Sequence, residues 1–184
     1  MRGSFLRWDI VEPASGFRIL NANFLSESVR SRLAAYEGLI RSWSEKFNLV
    51  SKGDLKKIWA RHFEDALMLS KLFPDWAFES AIDVGSGAGF PGIPIKVSQP
   101  DLRLVLAESV GKKCVFMKEA VTSLALSQCE VVCERAESLG RDQRYREKFD
   151  AAFARALAHP DAALELVASD DPGRQRTDLR VRVS

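Results

Sequence analysis

Cysteine, histidine and long apolar runs are all scarce in this chain, and each scarcity removes a class of protein. Three cysteines, Cys114, Cys129 and Cys133, are odd in number and lack CxxC spacing, which argues against a disulfide framework and against a zinc site. Reduced, mostly buried thiols are expected. Only His62 and His159 could add ligands, so no metal is expected. No stretch approaches the roughly 18 consecutive apolar residues of a membrane span, and Met1-Arg2-Gly3-Ser4 opens no signal-peptide run. A cytoplasmic monomer with no membrane contact is expected. Charge of one sign is short as well: the formal balance is +2 with 28% charged residues, so attraction to a polyanion must come from how charge is distributed.

Apolar residues are plentiful, at 46% of 184, enough for one core and too few for two α/β domains with linkers. Residues 1–22 show no sustained period and read as a flexible arm. From Ser26, apolar Val29, Leu33, Tyr36, Ile40, Trp43 and Phe47 recur every three or four residues, the period of an amphipathic helix. A second helical run starts at Gly53-Asp54, with Asp54 as N-cap, and continues through Ile58, Phe63, Ala66, Leu67 and Leu69 to Pro74. Trp43, Trp59 and Phe63 fall at helical spacing and read as core.

Strand-like runs then alternate with helical ones: Ala81 to Val84, Leu102 to Ala107, Glu130 to Cys133 and Phe149 to Ala154. Such alternation predicts an α/β fold, a parallel sheet with helices on both faces, preceded by two N-terminal helices. The division is an arm at 1–22, a domain at 23–168 (helices 26–73, α/β core 79–168) and a tail at 169–184.

The strongest local signal is Asp83-Val84-Gly85-Ser86-Gly87-Ala88-Gly89-Phe90-Pro91-Gly92, where a buried strand turns into a helix. Glycines there let the backbone take positive φ and approach a ligand closely. Asp83 precedes the turn and Glu108 ends the next apolar run, so both carboxylates should reach the carboxyl edge of adjacent strands. An acid at the end of the second strand can accept both ribose hydroxyls, which implies an adenosine ligand. Gly87, Gly89 and Gly92 also spell GxGxxG, so an NAD-dependent oxidoreductase stays open. Against it, Phe90, Pro91 and Pro94 crowd the helix start where a pyrophosphate would sit. A cationic sulfonium cofactor, S-adenosylmethionine, needs no phosphate cradle.

Taken in order, Trp43 with Lys46, Asn48 and Leu49, then Arg61-His62 with Asp65-Ala66-Leu67, Asp83 to Pro94, Glu108 with Lys112-Lys113, Arg135-Ala136-Glu137 and Arg155-Ala156 carry a resemblance. The chain resembles the glucose-inhibited division protein B (GidB) family, bacterial enzymes that methylate guanine N7 in small-subunit (16S) ribosomal RNA. The resemblance implies a class I S-adenosylmethionine-dependent methyltransferase, Rossmann-like fold. It also implies a cofactor held by Gly85, Phe90, the backbone at Ala136 and Glu137, and Arg155, with Glu108 as the ribose-binding acid.

Guanine N7 carries a free lone pair, so no general base and no catalytic residue in that sense is needed. The chain also lacks the Asn/Asp-Pro-Pro-aromatic motif of enzymes that methylate exocyclic amines; Phe153-Ala154-Arg155-Ala156 stands in its place. His62 and Asp65, three apart on one helix face, and Arg155 are candidate substrate or site residues. Lys46, Lys52, Lys56, Lys57, Arg61, Lys112 and Lys113 are candidate RNA-phosphate contacts.

After Leu166 the resemblance stops, and the arginine-rich remainder reads as disordered. The family would continue with further strands. Their absence would leave the Phe149 to Ala154 strand with a bare edge, and a non-catalytic cofactor- or RNA-binding remnant is then the alternative to an active enzyme.

Overall fold

The computed structural model describes residues 25–72, 79–154 and 181–182. The N-terminal arm, Pro74, Arg155 and all of the tail except Val181 and Arg182 lie outside the described residues.

Helix α1 spans Glu27–Lys46, capped by Ser26, whose Oγ accepts from the Val29 amide at 3.3 Å. Its apolar stripe buries Leu33, Tyr36 and Ile40 completely. The second predicted helix is divided. A single turn, α2, spans Lys52–Leu55, a π-helical turn spans Trp59–Phe63, and α3 spans Glu64–Leu72. The N-cap is Ser51, three residues before the expected Asp54. Ser51 Oγ accepts from the Asp54 amide at 3.1 Å and donates to the Asp54 carboxylate at 2.7 Å. Asp54, three residues after the cap, thus meets the Ser51 hydroxyl with both its amide and one carboxylate oxygen, and its other oxygen receives Arg61 at 2.6 Å.

Strands β1 (Ser80–Val84), β2 (Arg103–Ala107), β3 (Cys129–Val132) and β4 (Ala151–Ala154) lie within two residues of the predicted runs. Between them run α4 (Gly92–Ser98), α5 (Gly111–Ser123) and α6 (Ala136–Arg141), the last too short to show a period in sequence. Pairing is parallel throughout, in the order β3-β2-β1-β4-β5. The fifth strand, β5, is Val181–Arg182, in register with Ala152 and Phe153. It corrects the bare edge expected for β4: an unpaired strand edge is a template, and two residues read as disordered add to it.

Side chains alternate across the sheet. Ala81, Leu104, Leu106, Ala151 and Phe153 face α1, α3, α4 and α5, while Ile82, Val84, Val105, Ala152 and Ala154 face Leu139, Tyr145 and Phe149. Strand order reverses between β1 and β4, and an open α/β sheet binds ligands at the carboxyl ends of its strands beside such a switch.

Candidate active site

At that switch the chain leaves β1 through three left-handed glycines, Gly85 (φ 70°), Gly87 (φ 61°) and Gly89 (φ 84°). The loop's amides are largely consumed internally. Gly85 and Ser86 donate to the Ala107 carbonyl, Gly89 and Phe90 to Ser86, and Ile93 to Gly89. Gly92 donates to Asp83 Oδ2 at 2.9 Å, and Pro91 and Pro94 have no amide to give. A pyrophosphate needs free N–H groups at such a helix start, and these are already bonded. The turn therefore offers a ligand its surface and carbonyls.

The two acids do different work. Asp83 has no exposed surface, and its carboxylate ties β1 to the first turn of α4. Glu108, 6% exposed, reaches from the end of β2 to the loop, where Oε2 accepts from the Gly87 amide at 2.9 Å. Its Oε1 accepts from the Val110 amide at 2.9 Å, and Lys113 Nζ stands 3.9 Å from Oε2. A carboxylate offers about four acceptor lone pairs, so two amides leave about two for a pair of vicinal hydroxyls.

Beneath the loop lies an aromatic cluster. Phe90 packs against Tyr36 (5.6 Å between centroids), Phe63 (5.3 Å) and His62 (4.9 Å, stacked). His62 reaches Phe90 from the π-helical turn, a distortion common at functional sites. It is half-buried there, whereas Asp65 is exposed on α3. Trp43 and Trp59 pack as core, donating their indole N–H groups to Glu119 and Glu37.

Ala136 and Glu137 open α6 just beyond the carboxyl end of β3, Ala136 against the second core and Glu137 exposed. Lys46, Lys52, Lys56, Lys57 and Lys112 are exposed, with Lys112 Nζ 5.6 Å from the ring of Phe47, which caps the end of α1 beside Lys46. Arg61 is spent on Asp54 and Lys113 stands beside Glu108, so those two are the least available to a phosphate. Of the thiols only Cys114 is buried. It is pushed up to about 12, chiefly by burial, and its Sγ lies 2.7 Å from that of exposed Cys133.

Sequence reasoning missed Tyr36, whose hydroxyl donates to the Ala88 carbonyl in the loop; helical spacing marked it only as core. A cavity of about 750 Å³ lies at the opposite, amino end of the sheet, lined by Ser80, Gln99, Asp101, Arg103, Lys148 and Asp150, away from the loop. Among the described residues no group of three or more His, Cys, Asp or Glu could hold a metal ion, and no helix is long and apolar enough to cross a membrane.

A parallel sheet with a glycine turn after its first strand and an acid ending its second is the Rossmann-like arrangement that class I methyltransferases share with dinucleotide-binding proteins. A Staphylococcus aureus structure described as a caffeoyl-CoA O-methyltransferase shares it, with a TM-score of 0.52 at 10% identity over 77% of this chain and 66% of that one. The chain belongs to the GidB family, rRNA small subunit methyltransferase G, whose model matches residues 30–170. Ribosomal RNA small subunit methyltransferase G of Roseiflexus sp. (strain RS-1) is 45% identical over 127 residues, 69% of this chain and 54% of the relative. The protein of the same name from Dictyoglomus thermophilum is 44% identical over 130 residues, 71% and 54% of the two chains. This chain spans about half the length of the curated relatives it matches.

Proposed function

We propose that this chain binds S-adenosylmethionine across the Gly85–Gly89 turn and serves the transfer of its methyl group to guanine N7 in small-subunit ribosomal RNA, as a cytoplasmic monomer. One observation carries the cofactor assignment: every amide from Gly85 to Phe90 except that of Ala88 is already bonded, while Glu108 keeps acceptor capacity at the turn's edge. That combination suits a ribose attached to a cation and disfavours a dinucleotide, whose phosphates need the amides. Family membership supports the RNA target.

The cofactor, when bound, supplies a methyl group on a sulfonium. Glu108 takes the ribose hydroxyls, Gly85 and Gly87 let the backbone approach the cofactor closely, and Gly89 lends the turn its left-handed shape while leaving room beneath it for Ile93 and Tyr36. Phe90 walls the loop, the backbone at Ala136 and Glu137 borders the base, and Arg155 pairs with the methionine carboxylate or an RNA phosphate. Asp83 holds the loop from within. No residue needs to remove a proton, so the protein's part is to align N7 with the methyl carbon and exclude water. Lys46, Lys52, Lys56, Lys57 and Lys112 attract phosphates, which fix the register of the RNA without reading its sequence.

Calorimetry with S-adenosylhomocysteine and with NAD tests the cofactor. Binding of the first alone is expected, and binding of NAD alone refutes the assignment. Transfer of labelled methyl to small-subunit RNA from cells lacking this modification tests the reaction; cofactor binding without incorporation would reduce the chain to a binding unit.

A further inference from the structure

We infer that Tyr36, on the N-terminal helix α1, is a positioning residue for the cofactor loop; this rests on that loop being the cofactor seat. Tyr36 has no exposed surface, and its ring is held by Phe63 (5.7 Å), Phe90 (5.6 Å) and Phe116 (6.3 Å). A ring so enclosed has a fixed hydroxyl, and that hydroxyl donates to the carbonyl of Ala88. Ala88 stands between Gly87 and Gly89, both left-handed, so the peptides around it are the ones whose residues permit another orientation. A Cβ on Gly89 would lie 2.8 Å from the Tyr36 hydroxyl, which shows how closely the oxygen occupies the underside of the turn.

Two contacts therefore fix the loop from opposite sides. Glu108 takes the Gly87 amide from the β2 side, and Tyr36 takes the Ala88 carbonyl from α1. The Gly87 amide can meet Glu108 only while the turn keeps this shape, so losing the Tyr36 hydroxyl loosens the carboxylate that is to hold the ribose. Tyr36 touches no substrate in this arrangement; it acts through the backbone of the loop.

Tyr36→Phe deletes one oxygen and keeps the ring contacts. The expected result is a dissociation constant for S-adenosylhomocysteine raised up to about tenfold, because the free loop relaxes to satisfy the Ala88 carbonyl and binding must restore the strained turn. KM for S-adenosylmethionine should rise with little change in kcat at saturation, and hydrogen exchange should quicken at the Gly89 and Phe90 amides but not within α1. Unchanged affinity and unchanged exchange in the loop would overturn the inference, as would a lowered melting temperature with affinity intact, which marks a purely structural tyrosine. If wild-type protein fails to bind S-adenosylhomocysteine the cofactor assignment falls, and loop exchange in the variant still decides whether Tyr36 holds the turn.

Discussion

Replacing Gly89 by alanine adds one methyl group where the backbone is left-handed (φ 84°) and space is already taken. The new Cβ would lie 2.5 Å from Ile93 Cδ1, 2.9 Å from Ile93 Cγ1 and 2.8 Å from the Tyr36 hydroxyl. The end of an isoleucine can often step aside, but Ile93 and Tyr36 both have no exposed surface and sit in a close-packed core. Left-handed strain for a residue with a Cβ costs about 1–2 kcal/mol, and overpacking adds about 1–3 kcal/mol. Gly87 supplies the control. Its φ is 61°, equally left-handed, yet a Cβ there meets only the Gly85 carbonyl at 3.9 Å, so Gly87→Ala should carry the strain alone. Urea unfolding of the two variants should show Gly89→Ala losing the more stability, by about 1–3 kcal/mol. Adding Ile93→Val, which removes Cδ1, to Gly89→Ala should return part of the difference, seen as a favourable coupling energy. Equal losses for both alanines, or no coupling with Ile93→Val, would refute the steric account.

Glu108→Gln keeps the shape but turns one of the two oxygens that accept from the Gly87 and Val110 amides into an NH2 donor; the dissociation constant for S-adenosylhomocysteine should rise about 10- to 100-fold by calorimetry, and an unchanged value would remove Glu108 from the ribose. The Asp54 carboxyl is held below its ordinary 3.8 by the hydrogen bond from Ser51 and then that from Arg61. Below 3.8 the unfolded chain takes up protons before the native one does, so this contribution is complete above 3.8 and lost as pH falls through the lowered native value. Asp54→Asn should therefore flatten the acid limb of a stability-against-pH curve measured with urea, and an identical slope in both proteins would count against the Ser51 and Arg61 bonds as the source of the shift.

The strands and the glycine turn were legible because their signals are local: short apolar runs bounded by proline or glycine, and an acid at the end of the second run. The start of the second helix was misplaced because serine, threonine and aspartate are all good N-caps. Ser51 and Asp54 satisfy one another, and S-x-x-D is the pattern that would have separated them. The role of Asp83 could not be read, since a carboxylate at the end of a strand has the same spelling whether it faces a ligand or, as here, the amide of Gly92. The pairing of Val181–Arg182 with β4 was out of reach for a different reason. Two residues carry no period, and their register is set by an edge formed by Ala151–Ala154, far back in the chain.

Why the loop should depend on a helix from outside the α/β core follows from the form of α4. Seven residues long and buried from Gly92 to Val97, it shows almost no polar face beyond Lys96, whose buried ammonium donates to the carbonyls of Pro100 and Leu102. A helix with so little polar surface must be covered on nearly every side. The sheet covers one side, and α1, the π-helical turn and α3 cover the other with Leu33, Tyr36, Ile40, Phe63 and Leu67. At about 1.5–3 kcal/mol for each large side chain, that outer layer is worth on the order of 10 kcal/mol. Burial in the unfolded chain makes this an upper figure, yet it is comparable to the whole stability of a domain, about 5–15 kcal/mol. The N-terminal helices and the sheet are therefore one folding unit. Tyr36 belongs to the layer that lets α4 form at all, and the residue that packs the core also sets the turn above it.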